Sequence, residues 1–305
     1  MVVGTRRRIG ERFGQVVIVL FMAVFAFSVL LPFARHVSLS VSTPVAVVKG
    51  GLYLLPQPGE VTLESWQRVF RQRNTVEAYY WSLYRTVVGT AMTVVITGLT
   101  AYPLSKKYLP FRRFYMILVL IAMFTTGGIV PLFLIVRGLG MYNTMWALWL
   151  PQLIPLFWMI ITRNFFMTLP EELTESARID GAGELRVFVR LILPLSKPVI
   201  AVLALHTIVF HWNAWFDILI FISRGKIFVP QLLGRIISDV NEASVGGIAA
   251  EIRLQQLLEE TQDQQYTAET IRSAILLYSL IPIMLVYPFL QKYFAKGLLI
   301  GSLKG

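Results

Sequence analysis

Cysteine is absent from this 305-residue sequence. That excludes a disulfide framework, thiol catalysis and thiolate metal sites. Histidine is scarce as well, with only His36, His206 and His211. A histidine metal cluster is therefore not expected, and no cofactor is implied. Charge is thin: 15% of residues are charged and 56% are hydrophobic, where a soluble domain carries about 25% charged residues. So few charges cannot coat a soluble surface, and the composition fits an outer surface that faces lipid. No Gly-x-x-x-x-Gly-Lys-Ser/Thr phosphate loop occurs, so the chain is not expected to hydrolyse ATP itself. Acids are the scarcer charge, and the net charge is +11. One basic patch would fit nucleic acid. Here the basic residues flank apolar runs, which fits membrane topology.

A membrane helix needs about 20 mostly apolar residues. Five stretches hold no charge: Phe13–Ala34, Thr86–Ser105, Phe114–Val136, Gly138–Thr162 and Ser273–Gln291. A sixth, Pro198–Ile222, is interrupted only by Asp217 and two histidines. They predict an all-α polytopic membrane protein with six transmembrane helices. Buried soluble helices are the alternative, and repeated uncharged runs of this length argue against it. The first run follows Arg6, Arg7, Arg8 and Arg12 as a signal peptide would. It is longer than a signal core, and Pro32-Phe33-Ala34-Arg35 is no small-residue cleavage site. It reads as a retained span.

Lys and Arg near the spans set orientation. They gather in the N-tail, at Lys106, Lys107, Arg112 and Arg113, at Arg163, Arg178, Arg186, Arg190 and Lys197, and at Lys292, Lys296 and Lys304. These segments fall on one side, expected to be the cytoplasm, with both termini inside. The expected organisation is an N-tail (1–12), a first span (13–34), an extracytoplasmic loop (35–82), a five-span core (83–296) and a C-tail (297–305). Within the core lie an inner loop (163–198) and an outer loop (223–272). In the outer loop, Glu251–Glu260 suggests a short amphipathic helix. The outer segments either dock a solute-binding protein or only cap the helix bundle.

The inner loop from Arg163 to Pro198 is too patterned for a simple connector. Thr168 with Glu171 makes a capping box, and Pro170 suits a first helical turn. Helix is expected to about Ile179. Asp180-Gly181-Ala182-Gly183 then breaks it. Glu184–Leu191 reads as a second short helix, ended by Pro194 and Pro198. The result is a helix–turn–helix elbow at the inner face, in which Gly181 allows a turn that a side chain would block.

In the fifth run, His206, Phe210, Asn213 and Asp217 fall near one side at 100° per residue, with His211 and Trp215 roughly opposite. An ionisable group at membrane depth is a functional candidate. The stripe either lines a solute path, bonds a neighbouring helix, or meets water at the outer interface. In the third run, Thr125, Thr126, Gly127, Gly128 and Pro131 weaken the helix, for a hinge or for close packing.

Glu175-Ser176-Ala177, Asp180-Gly181-Ala182 and Ile192-Leu193-Pro194 resemble the "EAA" loop of ABC importer permeases. Ser176 departs from the family's second alanine but is small. The resemblance extends to Ala101-Tyr102-Pro103-Leu104-Ser105, Gly127-Gly128-Ile129-Val130-Pro131, Asn164-Phe165-Phe166 and His211-Trp212-Asn213. The C-terminal Pro288–Phe294, Lys296-Gly297 and Ile300–Gly305 resemble the carbohydrate-uptake branch, relatives of the maltose permease MalG in the LplC- and YtcP-like subgroup. The resemblance implies a MetI-like transmembrane domain with a cytoplasmic coupling-helix loop. It implies that Glu175 is an ionic contact to a cytoplasmic ATPase, Ala177 a close-packing position and Gly181 the turn. It also implies a second permease as heterodimer partner, two ATP-binding subunits, an extracytoplasmic solute-binding protein, and import of carbohydrates, oligosaccharides in particular.

Three rivals differ in class. A proton-coupled secondary transporter using His206 and Asp217 leaves the elbow unexplained. A membrane-embedded enzyme needs several converging acids or metal ligands in the spans, where one acid is found. An importer of another solute class is opposed only by the C-terminal resemblance.

Overall fold

The structure is a computed structural model. It describes residues 9–43, 47, 54–56, 61–125, 127–234 and 268–302, and the amphipathic segment expected at Glu251–Glu260 lies outside them. The described helices are α1 (Ile9–Ser40), α2 (Glu64–Arg71), α3 (Arg73–Ser105), α4 (Arg112–Phe124), α5 (Ile129–Gly138), α6 (Trp146–Trp149), α7 (Leu156–Phe166), α8 (Glu171–Ile179), α9 (Glu184–Leu195), α10 (Lys197–Asn213), α11 (Phe216–Phe221) and α12 (Ala268–Ser302). Among the described residues, one compact unit holds α1, α2 and α12 as far as Leu280. A second holds the chain from Asn74 through α11, and α12 from Ile281.

Among the described residues, three helices are long and apolar enough to cross a membrane: α1, α3 and α12. They carry the first, second and sixth expected spans. The third expected span, Phe114–Val136, is not one helix but α4 and α5, parted at Thr125–Gly128. The fourth, Gly138–Thr162, holds α6, a short 3-10 turn (Leu150–Gln152) and the start of α7. Pro151 and Pro155 supply no N–H to a helical ladder, and Pro155 is extended at φ −71°, ψ 100°. The fifth is parted at Ala214, and α9 meets α10 at an 83° bend. Counting each bent pair as one span gives up to five among the described residues.

In the first unit, hydrogen bonds knit the ends of α1 and α12 to α2. Arg35 pairs with Glu269 at 3.2 Å, and Ser65 donates to the Thr270 hydroxyl at 2.8 Å. The Trp66 indole donates to Ser40 at 3.3 Å, and Phe70 meets Tyr278 edge-on. By contrast, the apolar residues of α1 from Val16 to Leu30 stand exposed, as expected of a lipid-facing span.

In the second unit, α3 is the longest unbroken helix. Its buried face carries small and hydroxyl residues at intervals of three and four: Ser82, Thr86, Gly89, Thr93, Thr97 and Ala101. Small side chains let helix backbones approach closely, which substitutes for the hydrophobic effect where the solvent is lipid. Two apolar clusters touch it. One joins Tyr102, Met159, Phe166, Phe188 and Ile192 at the end where the elbow lies. The other joins Val136, Leu148, Trp149, Ile218 and Phe221 around the break in the fifth run.

Candidate functional site

The elbow forms nearly where the sequence places it, but its start differs. No capping box forms. Pro170 occupies the N-cap at φ −57°, ψ 129°, so α8 begins at Glu171, and the Thr168 hydroxyl donates to the Phe165 carbonyl instead. Glu171 and Glu172 in the first turn and Arg178 in the last complement the helix dipole. At the other end, Gly181 sits at φ 76°. The Ala182 N–H reaches the Ala177 carbonyl at 2.9 Å and the Gly181 N–H reaches Arg178 at 2.9 Å. This is a Schellman stop, which explains Asp180, Gly181 and Ala182 as a group. Ala177 and Ala182 pack on the first apolar cluster. Ser176 and Glu175 face outward, and Ile179, one turn beyond Glu175, is 86% exposed.

A polar knot ties the elbow to α3, and it centres on Glu184, which the sequence did not single out. Its carboxylate accepts from the Tyr102 hydroxyl at 2.9 Å, the Tyr108 hydroxyl at 3.2 Å and Arg178 Nε at 2.8 Å. Arg178 also donates to the Tyr108 oxygen and lies 4.6 Å from its ring centre. Burial works to raise the Glu184 carboxyl. The hydrogen bond from Tyr102 and the charge and hydrogen bonds of Arg178 outweigh it and hold the group below the ordinary carboxylate range. Burial, then the Glu184 charge, push the Tyr108 hydroxyl up. Lys107 adds an ion pair to Glu171 at 3.5 Å. The C-terminal end of α3 is satisfied by cations: the Leu104 carbonyl accepts from Arg112 at 3.1 Å and Arg163 at 2.9 Å.

At the other end of α3 lies a cleft of about 550 Å³. His206, Phe210, Asn213 and Asp217 all line it, with Gln152 and Trp215. The first three lie on one face of α10, as expected. Asp217 and Trp215 arrive by another route. The helix stops at Asn213, Ala214 is extended at φ −68°, ψ 116°, and α11 starts at Phe216. The expectation that Trp215 lies opposite the stripe therefore fails: the break turns it into the cleft. His211 does take the opposite side, buried against Gly89. The His206 ring stacks on Trp158 with centres 4.7 Å apart.

Arg85 makes the break. Its side chain is wholly buried, donates to the Ala214 carbonyl at 3.1 Å and pairs with Asp217. The Arg85 carbonyl accepts from the Trp149 indole at 3.1 Å. Asp217 accepts in addition from the Ile218 N–H at 2.8 Å. Sequence reading passed over Arg85 because it stands one residue outside the uncharged run. A lone cation at the edge of an apolar run, facing a lone acid in another, was the available signal. The third-run candidates also sit at a break: Gly128 takes φ 76°, and Pro131 falls in the first turn of α5, where no N–H is needed. Thr126 lies outside the described residues.

An elbow bonded to one end of a long apolar helix, and a cleft lined by polar residues near the other, fit a transport permease. Residues 86–300 match the binding-protein-dependent transport system inner membrane component family, and the chain belongs to it. The family is one of multi-pass membrane permeases, not enzymes, as the elbow motif implied. Within it, the chain is 38% identical over 290 residues to Protein LplC of Bacillus subtilis (strain 168), covering 94% of this chain and 93% of that one. It is 35% identical over 285 residues to the polygalacturonan/rhamnogalacturonan transport system permease protein YtcP of the same organism, covering 93% and 96%. The subgroup read from the C-terminal residues is thus the one in which these relatives fall. Among solved structures, a bacterial ABC transporter involved in the import of the acidic polysaccharide alginate matches with a TM-score of 0.83 at 27% identity, covering 94% of this chain and 98% of that chain.

Proposed function

We propose that this chain is the transmembrane permease subunit of an ATP-driven importer of carbohydrates, oligosaccharides in particular. The elbow carries this reading. A short helix closed by a Schellman stop, with Glu175 and Ile179 outward and its base wired to α3, is a surface for a separate protein and a lever on the membrane helices. The relatives' names supply the cargo class: YtcP is named for polygalacturonan and rhamnogalacturonan, and the alginate importer for an acidic polysaccharide. In this reading the chain forms the path with a second, related permease. Two cytoplasmic ATP-binding subunits hydrolyse ATP, and an extracytoplasmic binding protein delivers solute to the loops at 35–82 and 223–272.

Six spans complete the arrangement, with the N-tail (1–12), the elbow loop (163–198) and the C-tail (297–305) in the cytoplasm. The breaks at Pro151, Pro155 and Ala214 are half-buried, and irregular backbone is tolerated where it is buried in protein or lines a cavity. At the break after Phe124, Thr125, Gly127 and Gly128 are exposed on this chain. Glu175, Ser176, Ala177, Asp180, Gly181 and Ala182 form the ATPase-coupling segment. His206, Phe210 and Asn213 face solute with hydrogen-bonding groups and an aromatic face, while Asp217 uses its charge on Arg85. Gly127, Gly128 and Pro131 serve as a hinge.

The test is Glu175→Arg in the assembled complex. Uptake and solute-stimulated ATP hydrolysis should fall while the membrane level of the chain holds. Unchanged ATPase stimulation would remove the coupling role from this helix.

A further inference from the structure

Two routes lead from the elbow to the cleft. The covalent one runs along α9 and α10. It passes through a π-helical segment, Phe188–Ile192, then an 83° bend at Ser196, then the break at Ala214. At a π segment and at a sharp bend the helical ladder is interrupted, so this route is not one continuous rod. The other route is α3, an unbroken helix of 33 residues. Its inner end is held by the Glu184 knot through Tyr102, and Arg85, about 26 Å along the axis at 1.5 Å per residue, grips the break. Between these points α3 is seated closely. A Cβ on Gly98 would stand 3.2 Å from Phe188 of α9, and one on Gly89 would stand 2.5 Å from the His211 ring of α10.

We propose that α3 is the connecting rod of the transporter, with Glu184 and Tyr102 as positioning residues at the elbow end and Arg85 at the cleft end. This rests on the reading of α8 as the surface that meets the ATPase. When the elbow moves, the Glu184 carboxylate carries Tyr102 and hence α3 with it. Arg85 then moves the Ala214 carbonyl and Asp217, and the cleft wall formed by Asn213 and Trp215 shifts. Such a chain of contacts is a mechanism only if perturbing one end changes the response at the other.

The absence of cysteine makes that measurable. In the full complex, Asn213→Cys gives this chain a single thiol in the cleft. Its maleimide labelling rate is compared before and after trapping with ATP and vanadate, the chain being read separately on a gel. A second version carries the thiol at Ile179→Cys, on the elbow's outer face, where a docked ATPase protects it. With the knot intact, trapping should change cleft labelling several-fold. With Tyr102→Phe and Glu184→Gln together, Ile179→Cys should stay protected and nucleotide should still be trapped, but the cleft response should vanish. Arg85→Met with Asp217→Leu should abolish it from the other end.

A cleft response that survives both double variants, with the elbow still protected, overturns the rod. Absence of protection at Ile179→Cys in the otherwise native complex overturns the docking reading and the rod with it. If the elbow double variant does not reach the membrane, Tyr102→Phe alone carries the same test. It removes one hydroxyl and leaves the ring against Phe166 and Phe188.

Discussion

Removing either partner of the Arg85–Asp217 pair should destabilise the protein, and the two losses should differ. Breaking a buried ion pair from one side costs about 3–5 kcal/mol, mostly because the other charge is left buried and alone. The two partners are not equally buried: none of the Arg85 side chain is exposed, whereas 23% of Asp217 is. Asp217→Leu strands a guanidinium that keeps only the Ala214 carbonyl, so its cost should lie near the upper end, about 5 kcal/mol. Arg85→Met leaves a carboxylate that reaches the cleft and still accepts from Ile218, so about 3 kcal/mol or less is expected. The double variant Arg85→Met with Asp217→Leu removes both charges at similar volume and should return close to the native stability. Melting temperatures of the permease pair in lipid nanodiscs give all four corners of the cycle. Equal single losses, or a double variant whose loss is the sum of the two, would refute the reasoning.

Gly89→Ala should cost about 1–3 kcal/mol by overpacking. The new carbon would fall 2.5 Å from His211 Nε2, and that ring is 2% exposed. Adding His211→Ala should recover most of the melting temperature, and no recovery would place the strain elsewhere. The Glu184 knot predicts a pH dependence with a definite sign. A carboxyl held below its ordinary value stabilises the folded state above the unfolded value and loses that contribution as pH falls through the lowered one. The melting gap between the native chain and Glu184→Gln should therefore be open at neutral pH and close on acidification. A gap that widens toward acid would contradict the assignment.

The elbow was legible because its signals are local. Gly181 needs a positive φ, and the acids sit in a first turn. The prolines misled: the second helix runs past Leu191 through Pro194 to Leu195, and Pro198 falls in the first turn of α10, where no N–H is needed. The capping box failed on a local detail, since Pro170 took the N-cap that the box needed for Thr168. The broken spans divide by cause. The break after Phe124 and those around Pro151 and Pro155 are marked in the sequence by glycine and proline. Ala214 is marked by neither. Its conformation is held by Arg85, far away in the chain, and no local pattern records a partner that tertiary packing supplies. The same holds for Glu184, whose three donors come from α3, the loop after it and α8. Helical periodicity put His206, Phe210 and Asn213 on one face, and they share it because α10 is unbroken across them. It found Asp217 for the wrong reason, because the wheel assumed a helix that stops four residues earlier.

The central claim is that this chain moves carbohydrate only as part of an ATP-driven assembly. The direct measurement is uptake of labelled oligosaccharides, screened as a panel, into liposomes holding this chain, its partner permease and the ATP-binding subunits, with the binding protein added outside. Uptake should require ATP within the liposomes and binding protein outside, and should be absent from liposomes holding this chain alone. Uptake by the chain alone, driven by a pH gradient and indifferent to ATP, would contradict the account.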